Sequence, residues 1–183
     1  MVQLLALVAL MADQSKVTLP LEGGLTLGGE SARLMPAKGK PIVLVFVAAD
    51  CPVANRYAPE IERIHEEYRA RGVIFRAVYL LGPDRASLVT VHQKEYRVTI
   101  PAILDPNRSL VKQVGATVTP EAAIINEKGE IIYRGRIDDR NVDHGRVKQG
   151  YRRDLRMALD ETLAGKPVSL PRTAPVGCFI SGG

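Results

Sequence analysis

The stretch Ile42-Val43-Leu44-Val45-Phe46-Val47-Ala48-Ala49-Asp50-Cys51-Pro52-Val53-Ala54-Asn55-Arg56-Tyr57 sets an unbroken apolar run against a cysteine and a helix start. The run is β-branched and lacks polar alternation, the pattern of a central strand covered on both faces. Pro52 suits a first helical turn, where its missing N–H leaves no bond unmade. Val53, Tyr57, Ile61, Ile64 and Tyr68 recur at helical spacing, and Gly72 supplies a stop. Pro59 lies inside this helix and predicts a kink. The segment therefore reads as a buried strand that runs into a helix, with Cys51 at the junction.

A cysteine at a helix N-terminus is placed to react. The thiolate is the reactive form, and the first-turn N–H groups and macrodipole favour negative charge there. Arg56 lies in or just beyond the first turn and adds to that effect. Asp50 either opposes it by its own charge or serves as the N-cap. Thiol chemistry normally involves a second sulfur, yet Ala54 and Asn55 occupy the positions of a C-x-x-C or C-x-x-x-C partner. The chain has two cysteines, so Cys178 is the internal candidate for a resolving thiol. It follows the terminal helix on a proline-containing tail, and Pro175-Val176-Gly177-Cys178 reads as a turn that presents a side chain. The segment from Gly165 to Cys178 can span a small domain at about 3.3 Å per extended residue. Three readings stay open: a reversible Cys51–Cys178 disulfide, an unpaired tail cysteine, or an intermolecular bridge.

The rest of the chain alternates strand-like and helical patterns, which predicts an α/β fold. Val17–Leu21 and Leu25–Leu27 around Gly23-Gly24 predict a short N-terminal β-hairpin, and Ser31–Lys40 reads as a loop. Strands are expected at Val73–Leu80 and Pro101–Asp105, and helices at Asp84–Tyr96, Asn107–Val114 and Tyr151–Leu163. Asn107 or Asp105 is expected near the cap of the second of these. Glu121–Asn126 and Glu130–Arg134 form a hairpin about Glu127-Lys128-Gly129. Residues 17–164 form one domain and 165–183 a tail. Met1–Ala12 is an apolar run of signal-peptide length, too short for a membrane span. It predicts export, although no Lys or Arg precedes it. A short element packed on the domain, in a cytoplasmic protein, is the other reading.

This order of parts resembles the thioredoxin-like superfamily from about Val17 to Leu163. Phe46 through Pro59 and Val118 through Arg136 carry the resemblance most specifically. Within the superfamily the chain looks most like redoxins of the alkyl hydroperoxide reductase / thiol-specific antioxidant group, the peroxiredoxin-like group. The resemblance implies a central mixed β-sheet flanked by helices on both faces, with Pro120 as a cis-proline facing Cys51. Such a proline would leave the Thr119 backbone free to pair with an extended or cysteine-bearing substrate. It also implies an arginine near the thiolate, with Arg134 and Arg136 as the two candidates, or else two exposed strand residues. The implied activity is thiol–disulfide exchange with Cys51 as nucleophile. The implied partners are a disulfide or peroxide substrate and an external thiol reductant, thioredoxin-like or small, acting on a monomer or homodimer. Ala48 departs from the peroxiredoxin pattern, which has Thr or Ser there to bind peroxide. Disulfides are therefore the preferred substrates, with peroxide second and a non-catalytic copper-binding module third.

Composition argues against nucleic acid as a partner. The net charge is +5, but Asp138, Asp139, Asp143 and Asp154 interrupt the basic residues between Arg134 and Arg156. Aromatic residues are 5% and tryptophan is absent, so stacking platforms are few. Asp138, Asp139, Asp143 and His144 match no metal-ligand spacing, and His65 and His92 fall in helices. The reading calls for no cofactor and no metal.

Overall fold

The computed structural model describes residues 16–141 and 148–180. The Met1–Ala12 run, Asp143 and His144 lie outside the described residues. The apolar run becomes β1 (Ile42–Val47), buried at every position. It lies at the centre of a five-stranded sheet with β2 (Ile74–Tyr79), β3 (Ala102–Leu104), β5 (Glu121–Ile125) and β6 (Ile131–Gly135), in the order β3-β2-β1-β5-β6. A two-residue strand, β4 (Val118–Thr119), precedes β5. β1 is parallel to β2 and antiparallel to β5, so the sheet is mixed.

Strand alternation splits β1 between two cores. Val43, Val45 and Val47 pack with Tyr57, Ile61, Ile64 and Tyr68 of α1 (Pro52–Arg69) and Leu155 and Leu159 of α4 (Asp154–Leu163). Ile42, Leu44 and Phe46 face the other way. They pack with Leu21 and Leu34 of the N-terminal segment and with Leu110, Val111 and Val114 of α3 (Ser109–Val114). Helices thus cover both faces, as the resemblance implies. A two-sided core explains why β1 has no polar position. No helix among the described residues is long and apolar enough to cross a membrane.

Several boundaries differ from the expectation. The N-terminal hairpin forms with shifted arms. Leu21 pairs with Leu34 and Leu25 with Ser31, so Leu25–Leu27 does not pair with Val17–Leu21. The chain turns at Gly29, which accepts a positive φ of 89°, and the stretch expected as loop becomes the second arm. Pro59 lies inside α1, as expected. Glu60 and Glu62, on its polar side by pattern, are buried. Glu60 bonds Arg63 and Arg156, and Glu62 accepts the Thr99 N–H, so tertiary partners replace water. The helix expected from Asp84 is a 3-10 turn at Pro83–Arg85 followed by α2 (Ala86–Tyr96), and α4 starts at Asp154 rather than Tyr151. Arg108 is the N-cap of α3, and Asn107 and Asp105 lie near it as expected, with the Asp105 carboxylate accepting the Val111 N–H of the first turn.

The tail after α4 is fastened before it reaches Cys178. Arg134 N–H donates to Pro171 O, Thr173 N–H donates to Arg134 O, and the Arg136 N–H donates to Thr173 Oγ1. The free edge of β6 is thereby covered. Gly135, at φ 151°, lies where any Cβ would collide with Thr173. Gly135→Ala is expected to loosen the tail, and cleavage at Arg172 in limited trypsin digestion should speed up several-fold, about 1 kcal/mol of lost protection. An unchanged cleavage rate would show that the tail is not held there.

Candidate active site

Cys51 is the N-cap of α1, with φ −88° and ψ 110°. That role falls to Cys51 rather than Asp50, because the turn in which Cys51 N–H donates to Ala48 O aims the sulfur along the first turn. Its Sγ accepts the Ala54 N–H at 3.4 Å and lies 3.2 Å from Thr119 O. The Thr119–Pro120 bond is cis. The Thr119 backbone is not free, contrary to the expectation. The last strand, β7 (Cys178–Phe179), pairs antiparallel with β4, Thr119 opposite Cys178, and Ile180 N–H donates to Thr117 O. The tail thus fills the edge on which an external peptide was expected.

This pairing places Cys178 Sγ 2.6 Å from Cys51 Sγ, with a hydrogen bond between the two thiols. A disulfide bond is about 2.05 Å long, so little movement separates contact from bonding. Gly177 permits the approach, because a Cβ there would press into Thr119 O. The two sulfurs differ in their protons. Burial works against charge on Cys51, but hydrogen bonds from the Cys178 thiol, the Thr119 side chain and the Ala54 N–H outweigh it and hold the thiol below its ordinary value. Cys178 is pushed up to about 11 by its hydrogen bond to Cys51, then by burial and the negative charges of Cys51 and Asp50. When one proton is lost, it leaves Cys51 as thiolate and Cys178 as thiol.

The two arginines are placed elsewhere. Arg134 donates to Val114 O at 2.7 Å and lies 3.6 Å from Glu121, while Arg136 pairs with Asp154 at 2.6 Å. Arg134 lies on β6 and Arg136 just beyond it, their partners come from α3, β5 and α4, and neither has a hydrogen bond or ion pair with a cysteine. Arg56 is exposed on α1. Asp138 accepts from the Tyr57 hydroxyl and Arg140, and Asp139 from Lys148. Among the described residues, no group of three or more His, Cys, Asp and Glu side chains is arranged to hold a metal ion.

Two supports of the site were not found by sequence reasoning. Glu121 is 2% exposed and its carboxylate accepts the N–H groups of Thr117 and Val118, fixing the chain that enters the cis peptide. A glutamate heading an otherwise apolar strand directly after Pro120 was the available signal. His92 is the second. Burial holds its imidazole below the usual value, and the neutral ring bridges Tyr79 and Asn55. Asn55 then donates to Ala49 O and so steadies the turn that carries Cys51. Beside the sulfurs opens a groove of about 640 Å³, walled by α2 residues Leu88, Val91 and His92 and by Phe179.

A family model described as Redoxin matches residues 15–149. The chain belongs to the Redoxin family. This redoxin is 32% identical over 108 residues to the thiol-disulfide oxidoreductase ResA of Halalkalibacterium halodurans, covering 58% of this chain and 59% of that one. It is 27% identical over 107 residues to sporulation thiol-disulfide oxidoreductase A of Bacillus subtilis, covering 58% and 64%. The match thus spans about three-fifths of the length of these curated relatives. Among solved structures, a conserved protein from Geobacillus kaustophilus superposes with a TM-score of 0.76 at 24% identity, over 92% of both chains. StoA from Bacillus subtilis gives 0.51 at 26% identity, over 66% of this redoxin and 87% of StoA.

Two outcomes follow from the geometry. Gly177→Val should lower the rate of Cys51–Cys178 disulfide formation under mild oxidant at least about tenfold, because exchange needs direct access between the sulfurs. Non-reducing peptide mapping reads it. In Cys178→Ala, Cys51 loses a hydrogen bond that lowers its pKa, so its value should rise and alkylation at neutral pH should slow. The pH profile of iodoacetamide reaction against the wild type checks the sign, and an unchanged or downward shift would contradict it.

Proposed function

We propose that this redoxin is a thiol–disulfide oxidoreductase in which Cys51 is the nucleophile and Cys178 the resolving thiol. The observation that supports it most is the 2.6 Å separation of one sulfur below its ordinary pKa from one above it. Names of similar proteins point to the same chemistry. The Cys51 thiolate attacks a substrate disulfide, forming a mixed disulfide and expelling one substrate thiolate. Cys178 gives up its proton and attacks the Cys51 sulfur. The second substrate thiolate leaves, and a Cys51–Cys178 disulfide remains. An external thiol donor then restores the two cysteines. Thr119 and Pro120 shape the edge on which both cysteines meet, while Arg134 and Arg136 fix the strand and tail around it.

Cys51 is 2% exposed under the tail, so a substrate reaches it when the β4–β7 pair opens. The groove beside it is large enough for a peptide segment. Peroxide remains the second substrate. Its reduction would pass through a sulfenic acid on Cys51, but Ala48 offers no hydroxyl to hold the peroxide. Action outside the cytoplasm, where disulfides persist, agrees with the apolar Met1–Ala12 run.

Turnover of a protein disulfide such as that of insulin, driven by an external thiol, tests the proposal. Cys51→Ser should abolish turnover. Cys178→Ser should leave the mixed disulfide on Cys51 unresolved, detected as a mass adduct. Equal activity in wild type and Cys51→Ser would sink the assignment, and faster turnover of hydrogen peroxide than of any disulfide would reverse the substrate order.

A further inference from the structure

A Cys51–Cys178 bond offers two sulfurs to an incoming thiol, and their surroundings differ. Cys51 is 2% exposed, with Thr119 O, the Ala54 N–H and the tail around its sulfur. Cys178 is partly exposed on the tail strand, next to Phe179, which is 86% exposed. Both cysteines border the groove, but the outer sulfur belongs to the tail. A thiolate attacks a disulfide sulfur from the side facing away from the bond it breaks. The start of α1 and Thr119 O crowd the Cys51 sulfur, whereas Cys178 is the more exposed of the two cysteines.

We propose that reducing equivalents enter the oxidised protein through Cys178, by attack of an external thiolate on its sulfur rather than on that of Cys51. This rests on the thiol–disulfide exchange proposed above. In the first step the external thiolate bonds to Cys178 Sγ. The Cys51–Cys178 bond breaks, and its electron pair stays on Cys51 as thiolate. In the second step another external thiolate attacks the donor sulfur of the mixed disulfide. The donor leaves as its own disulfide, and Cys178 takes a proton from water. The protein disulfide is reduced by two electrons and two donor thiols are oxidised.

The leaving sulfur fits this direction. The thiol of lower pKa leaves faster, and Cys51 is the one held below its ordinary value while Cys178 is raised. The fold also separates the two halves of the cycle. In the oxidised protein the bond itself pins the tail, and Cys51 stays covered. In the reduced protein the tail end is held by the two-residue β4–β7 pair and the Ile180 N–H bond to Thr117, a contact small enough to open. A substrate disulfide then meets Cys51, whereas the reductant meets Cys178.

The test uses the full-length oxidised wild type and glutathione as the probe. The reaction is quenched with acid at the earliest times, remaining thiols are alkylated, and the glutathione position in the one-adduct species is mapped by mass spectrometry. At least about a tenfold excess on Cys178, with Cys51 alkylated, is expected. A second measurement serves where the adduct is short-lived. Cys51→Ala and Cys178→Ala each carry 5-thio-2-nitrobenzoate on the remaining cysteine, and glutathione releases it by attack on the protein sulfur. Release from Cys178 should be at least about tenfold faster. Glutathione on Cys51 in the wild type, or equal release from the two variants, overturns the inference and leaves the exchange reading standing. An oxidised protein with no Cys51–Cys178 bond would bring down both.

Discussion

The antiparallel contact between Thr119 and Cys178 is the interaction on which the site depends. It is only two residues per strand, yet several unrelated features converge on it. The cis Thr119–Pro120 bond turns the chain toward Cys51, and the buried Glu121 carboxylate holds Thr117 and Val118 in place. Gly177 lets the tail backbone approach Thr119 O. Upstream, Thr173 anchors the tail to β6, so only a short segment has to be ordered for Cys178 to arrive. A short, prefixed segment loses less conformational entropy on docking than a free tail would.

The same contact divides labour between two chemically identical groups. At the helix start, Cys51 gains N–H hydrogen bonding and loses contact with water. Cys178 lies nearer solvent and gains the proton. Hydrogen bonding overcomes desolvation at Cys51, while at Cys178 the hydrogen bond to Cys51 and burial favour the neutral thiol over the opposing Val53 backbone hydrogen bond. Thiolate character and exposure usually go together in a reactive cysteine. Here they are separated, and the tail decides when the thiolate is reachable.

The β1–α1 junction was legible because its signals are local. An apolar run, a proline at the first helical position and a helical repeat need no knowledge of distant residues. The Glu121–Gly135 hairpin and the cis-proline position were legible for a similar reason, aided by the resemblance. The path of the tail was not, since a proline-containing segment is compatible with many courses. The sequence pointed to Cys178 as a candidate only because it holds the second sulfur. Arg134 and Arg136 were placed on or after the second hairpin strand, but which partner each takes depends on α3, β5 and α4. His92 and Asn55 were also hidden. They are thirty-seven positions apart, and their hydrogen bond exists only because α1 and α2 pack together. The N-terminal hairpin was expected between Val17–Leu21 and Leu25–Leu27, but the segment read as a loop supplies its second arm.

The central claim is that Cys51 and Cys178 of one chain form a reversible redox pair. Equilibration of the purified protein across a series of reduced and oxidised glutathione ratios, followed by intact-mass and linkage analysis, measures it directly. The account predicts a monomer that loses two hydrogens in a single reversible transition, with Cys51 joined to Cys178 in the oxidised form. Oxidation that yields only disulfide-linked dimers, or glutathione adducts with no internal bond at any ratio, would contradict it.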